Sequence, residues 1–227
     1  LSSSSAASDV YKRQYLNIMK AFVCEFLGTL FLVATVVGSG IMAENLSMGN
    51  HAVSLLANAI ATGAILYVLI TIFSEISGAH FNPVVSLIMF TMKKLSFFEF
   101  LAYISVQIIG GILGTFLAHF MFEISIIQLS TNVRTGYSQY FSEVIAAFGL
   151  LLTILLGTKQ KSGSVATLVA FYITAAYWFT SSTSFANPAV TIARTLTDTF
   201  SGIQYGDTIP FIICLLYTSD AADEEDS

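Results

Sequence analysis

Two stretches of this sequence set an asparagine directly before a proline in apolar surroundings, "AHFNPVVSLIM" from Ala79 and "SFANPAVTIAR" from Ser184. Proline suits the first turn of a helix, where a missing N–H costs nothing and φ is already right. Pro83 and Pro188 are therefore read as first helical residues, with Asn82 and Asn187 at the caps. Each helix N-terminus presents roughly half a positive charge. Two such tips meeting at one spot repel cations and protons, while two asparagine amides can donate hydrogen bonds to a passing oxygen. That chemistry is selection in a pore. No nucleophile–base–orienter set and no metal-ligand spacing appears, so no enzyme activity, metal or cofactor is expected.

The elements that must hold these tips follow from composition. The chain is 55% hydrophobic and only 10% charged, with a mean hydropathy of +0.77, which makes lipid the expected solvent. A membrane helix needs ~20 largely apolar residues. Met19 to Ala43, Ala52 to Phe73, Phe97 to Phe122, Tyr140 to Leu156 and Val165 to Phe179 qualify, the last two with extension. A sixth starts near Ile209, but an acidic tail follows too soon for it to cross. From each proline, about eleven helix-compatible residues run to Lys93 and to Asp198, roughly 16 Å or half the hydrocarbon core. Two half-helices entering from opposite faces would meet at the midplane, where irregular backbone is tolerated only if buried or lining a wet cavity.

Lys20, Lys93, Lys94, Lys159 and Lys161 all fall on one side of this arrangement, which the positive-inside bias makes cytoplasmic, with the N-terminus inside. Arg134 and Arg194 are the exceptions. "CEFLGTLFLVATVVG" from Cys24 resembles "SEVIAAFGLLLTILLG" from Ser142, each followed by a second span, a loop and Asn-Pro. Three spans per copy invert the second copy, an architecture that places function near the midplane at the repeat interface. Within it, Cys24 is read as packing and the "GGILG" run from Gly110 as a small-residue face for close helix contact.

Both ends read as foreign. "SSAASDVYKRQ" (Ser4 to Gln14) is the translation of a transposase adapter used for sequencing libraries, and "CLLYTSDAADE" (Cys214 to Glu224) is that of its reverse complement. Residues 1–14 and 214–227 are therefore set apart, and the channel domain is expected over 15–213. It divides into a first repeat (15–137) and a second repeat (138–213) that lacks its C-terminal part. The set-apart ends carry Asp9, Asp220, Asp223, Glu224, Glu225 and Asp226, so the formal net charge of −5 belongs mostly to them.

With "SGAHFNPVVSL" and "NPAV" in place, the chain resembles the major intrinsic proteins, the aquaporin and glycerol-channel family, over essentially all of Tyr15 to Ile213. The resemblance implies an all-α membrane protein, an aquaporin-like six-helix bundle with inverted repeats and two re-entrant half-helices, assembled as a homotetramer. It implies a pore constriction at Asn82, Pro83, Val84, Asn187, Pro188 and Ala189; Val84 stands where the family usually has alanine, adding two methyl groups. Glu25 and Glu143 match buried glutamates that support the re-entrant loops, Gln107 matches the partner of the first, and His80 is placed in the inner vestibule.

By spacing from the asparagines, the family's four selectivity-filter positions fall on Thr62, Ala175, Ser184 and Val190. The fourth usually holds an arginine, and here the nearest is Arg194, four residues further on. Arg194 is expected to pair with Asp198 at i+4 or to reach for the interface; the alternative is that it lines the outer vestibule. A filter without a fixed cation admits larger uncharged solutes. The "NPAV" form looks like a bacterial subgroup associated with arsenic-resistance operons, which adds neutral metalloid acids to water and glycerol-like polyols. The expected protein is a passive multi-pass channel of the cell membrane, with lipid and neutral solutes as partners and no nucleic acid. A coupled transporter or a non-conducting structural protein is the alternative, the first requiring an ion gradient and the second showing no flux.

Overall fold

The computed structural model describes residues 2–160 and 164–224, with side chains over 12–160 and 164–218; Lys161 lies outside the described residues. Eight helices and no strand are found among the described residues. In the first repeat they are α1 (Ser2–Leu46), α2 (His51–Ser77), α3 (Pro83–Thr91) and α4 (Phe97–Met121). In the second they are α5 (Tyr137–Lys159), α6 (Val165–Phe179), α7 (Pro188–Arg194) and α8 (Tyr205–Glu224). The order long, long, half, long occurs twice.

The boundaries have local causes. Asn50 opens α2 by accepting from the N–H groups of Ala52 and Val53, and Gly78 closes it in the left-handed region that spares glycine a Cβ clash. Ser96 and Glu99 form a capping box on α4. The segments Lys12–Leu46, His51–Ser77, Phe97–Met121 and Tyr137–Lys159 are long and apolar enough to cross a membrane, while Val165–Phe179 and Tyr205–Thr218 are shorter. The sixth helix therefore starts at Tyr205, ahead of the expected Ile209, and runs on through residues that the sequence sets apart from the channel. Leu215 of that stretch is fully buried against Val84, Val85 and Ile88.

Lipid tails are as apolar as leucine, so association within the bundle depends on close packing and on hydrogen bonds between helices. α4 packs on α1 through glycine: a Cβ built at Gly110 would lie 2.5 Å from the Phe26 carbonyl oxygen. Gly114 meets the Leu30 carbonyl in the same way, one turn on. Gly111, between them, faces Ala189 and Ala193 of α7. Asn58 ties α2 to α1 by donating to the Val36 carbonyl and to Ser39, both at 2.8 Å. α2 packs on α6, α5 on α6 and α8, and the half-helix α7 is seated against α4.

Both half-helices are shorter than their sequences allow. α3 stops at Thr91, and α7 stops at Arg194, four residues before Asp198. Tertiary bonds end α7: the Arg194 carbonyl accepts from Ile203 N–H at 3.2 Å and the Thr195 carbonyl from Ser130 N–H at 2.9 Å. The chain is thereby drawn away from the helix and under the segment joining α4 to α5.

Candidate channel and filter

Asn82 accepts from the N–H of Val84 at 2.9 Å, and Asn187 from those of Ala189 and Val190 at 2.9 and 3.3 Å. The amides then cross between repeats. Asn82 Nδ2 donates to the Ala186 carbonyl and Asn187 Nδ2 to the Phe81 carbonyl, each at 2.7 Å. An amide carries two hydrogens, so each asparagine keeps one for the lumen.

The loops before the asparagines share an unusual backbone. In the first, φ is positive at Gly78 (84°), Ala79 (53°) and Phe81 (49°); in the second, at Thr183 (62°), Ser184 (52°) and Ala186 (48°). These are the same three positions counted back from each asparagine. Backbone of this kind makes no helical bonds, and buried N–H groups need acceptors. Glu25 supplies them in the first loop, taking His80 N–H at 2.9 Å and Phe81 N–H at 2.7 Å. Glu143 takes Phe185 N–H at 2.9 Å and Ala186 N–H at 2.8 Å in the second. Gln107 steadies Glu25 with a 2.8 Å bond and reaches Ser86 at 3.0 Å. Among the described residues no amide side chain does the same for Glu143.

A cavity of ≈ 470 Å³ extends from Lys94 and Thr158 past both asparagines to Ser184 and Arg194. Leu66, Ile70, Leu150, Ile154 and Val169 make one wall apolar, and the two loops make the other polar. Such a lining fits a solute with a hydroxylated side and an apolar side. His80 faces the cavity, its Nδ1 3.1 Å from Ser86 Oγ and its ring edge-on to Tyr103.

Of the six constriction residues, Asn82 and Asn187 line this cavity. Pro83 and Pro188 open their helices. Val84 is buried among Ile88, Ala147 and Leu151, so its extra methyl groups fill the protein and not the pore. Ala189 is buried with its carbonyl toward Gly111.

Thr62, Ser184 and Val190 line the end of the cavity that carries Arg194, and Ala175 does not. Ala175 is exposed on the far side of α6, and Tyr177 takes the inward place with its hydroxyl 3.2 Å from Thr62 Oγ1. Two residues along a helix turn a side chain through about 200°. Counting to α6 without gaps assumes a fixed connection to α7, and the irregular segment 180–187 gives none.

Arg194 also differs from expectation. It neither pairs with Asp198 nor reaches for the interface: it is 2% exposed and lines the cavity. Its Cζ stands 3.5 Å over the Phe185 ring, and its Nε donates to the Ser201 carbonyl. Asp198 instead accepts from the N–H and hydroxyl of Thr131. Arg134, from the α4–α5 segment, comes to the same ring at 5.0 Å, its Nε donating to the Gly202 carbonyl at 3.0 Å. Burial pulls the Arg134 guanidinium below its ordinary value, while Glu143, Tyr177 and Asp207 hold it up. Phe185, Tyr177 and Arg134 thus join this end of the site, a role the sequence reading did not give them. The one signal for Arg134 is that it breaks the lysine side bias.

Residues 12–183 match the family described as Major intrinsic protein. Aquaglyceroporin AqpS of Rhizobium meliloti (strain 1021) is 53% identical over 203 residues, covering 89% of this chain and 87% of that one. Probable aquaporin TIP1-1 of Oryza sativa subsp. japonica is 30% identical over 161 residues, covering 68% and 64%. Among solved structures, that of the aquaglyceroporin from Plasmodium falciparum shares the fold, with a TM-score of 0.69 at 17% identity over 89% of this chain and 94% of that one. The chain belongs to the major intrinsic protein family and is a multi-pass membrane channel for small neutral solutes, not an enzyme.

Proposed function

We propose that this channel passes glycerol-like polyols and neutral metalloid acids such as arsenous acid alongside water, through a filter in which Val190 replaces a fixed positive charge. The observation that carries the reading is Val190 itself: it lines the cavity three residues past Asn187 and leaves that position apolar. Thr62 and Ser184 beside it are polar and uncharged. The paired asparagine tips exclude protons and ions by their field. Similarity to a protein named an aquaglyceroporin supports the polyol, and the "NPAV" form supports the metalloid. In this reading residues 15–213 are the channel, four copies assemble, and the lysine-bearing side with the N-terminus faces the cytoplasm of a cell-membrane protein.

The test is flux into proteoliposomes followed by stopped-flow light scattering with water, glycerol and arsenous acid. The wild type is expected to pass all three without an ion gradient. Val190→Arg should narrow the filter and cut glycerol and arsenous acid by about tenfold, equivalent to roughly 1.4 kcal/mol on the barrier, with water affected less. Unchanged glycerol and arsenous acid flux in that variant would remove Val190 from the filter.

A further inference from the structure

We propose that Ser184, beside Val190, and Arg194, one helical turn beyond Val190, form a solute-binding station at the outer end of the cavity that holds small neutral solutes carrying two or more hydroxyl oxygens. The inference rests on the channel reading above and adds the residues that grip the solute.

Ser184 Oγ is buried and, among the described residues, has no hydrogen-bond partner, although it lines the cavity. A buried hydroxyl left unpaired is destabilising, and an oxygen-bearing solute would remove that cost. Arg194 has the complementary surplus. A guanidinium has five N–H donors, and only Nε is engaged among the described residues, with the Ser201 carbonyl. Both Nη groups are left free of protein acceptors on a side chain that faces the same cavity. They offer a planar fork suited to two oxygens on one centre or on adjacent carbons.

The fork is held in place. Arg194 Cζ lies over Phe185, the residue after Ser184, and Phe185 is itself edge-packed on Phe211 at 5.2 Å. That ties the cation to the loop carrying the unpaired hydroxyl. Among the described residues no carboxylate forms an ion pair with Arg194. Glu143 spends its oxygens on Phe185 and Ala186, and Asp207 on Arg134 N–H and Thr135. The positive charge therefore stands toward the lumen, with Arg134 behind the same ring adding to it. A cation meets repulsion; a neutral polyol or oxyacid meets donors at Arg194, a donor–acceptor at Ser184 and an apolar face at Val190.

The full chain in proteoliposomes gives three readouts: glycerol flux, water flux and potassium leak. Ser184→Ala breaks no internal hydrogen bond, so it tests solute contact without disturbing the fold, and it should lower glycerol relative to water by about threefold. Arg194→Met should raise potassium leak by about tenfold, and Arg194→Lys should keep the leak low while lowering glycerol flux through loss of the fork. Should Arg194→Met fail to fold, Arg194→Lys and Ser184→Ala decide the matter. A wild type that passes glycerol, with both of these variants unchanged in every readout, overturns the station and leaves the channel reading standing. A wild type that passes no neutral solute overturns both.

Discussion

Thr183 holds φ at 62° where the first repeat uses Gly78 at 84°. A β-branched residue in the left-handed region carries about 1–2 kcal/mol of strain. Against that, its Oγ1 gains only a 3.5 Å contact from Arg134 Nη1. Thr183→Gly relieves the strain and adds some unfolded-state entropy, so a net gain of about 1 kcal/mol is expected, read as a higher denaturation midpoint in detergent. The same segment shows where reading residues one by one succeeds and where it does not. Asn82 and Asn187 were legible because one local rule, a capped half-helix opened by proline, fixes their type; Glu25 and Glu143, far from the loops they serve, were legible through the family resemblance. Tyr177 was not, because its inward place depends on how many residues the irregular segment 180–187 absorbs. Arg194 escapes sequence reasoning because a carboxylate at i+4 along the helix is the obvious local partner. The structure gives that carboxylate to Thr131 and gives the guanidinium to an aromatic ring.

Among the elements, α1 and α4 depend on the missing side chains at Gly110 and Gly114. The "GGILG" run was readable as a packing face, but its partner was not, since any apolar span would accept it. Gly114→Val places methyl groups against the Leu30 carbonyl and must push α1 off α4. Overpacking of this kind costs typically about 1–3 kcal/mol. The damage should reach the pore as well, because Glu25 on α1 and Gln107 on α4 meet at 2.8 Å. A lower melting temperature together with reduced glycerol flux is the expected pair of results. The length of α7 was beyond the sequence for a related reason. Residues 195–198 are compatible with helix, and it is bonds from Ser130, far back in the sequence, and from Ile203, on the returning chain, that end it at Arg194.

Across the whole molecule, the α4–α5 segment closes one face by crossing onto the chain that leaves α7. His119 Nε2 lies 2.8 Å from Thr197 Oγ1, Asn132 bonds the Thr199 carbonyl at 2.6 Å, and Thr131 donates twice to Asp198. Those two bonds hold the Asp198 carboxyl below its ordinary value. A carboxylate lowered on folding adds stability above its unfolded pKa and loses it as pH falls through the folded one. Asp198→Asn should therefore melt earlier than the wild type at neutral pH, and the gap should close in strong acid.

The crossed amides at the middle have a consequence for how the protein is made. Among the described residues, the Phe81 carbonyl and the Asn82 Nδ2 amide find their partners in Asn187 and Ala186, more than a hundred residues later in the chain. While the first half waits in the bilayer, those groups must be met by water or by strangers. The junction of the two half-helix tips thus waits on the second repeat, and it is completed in a single event: neither half owns this crossing until the other arrives.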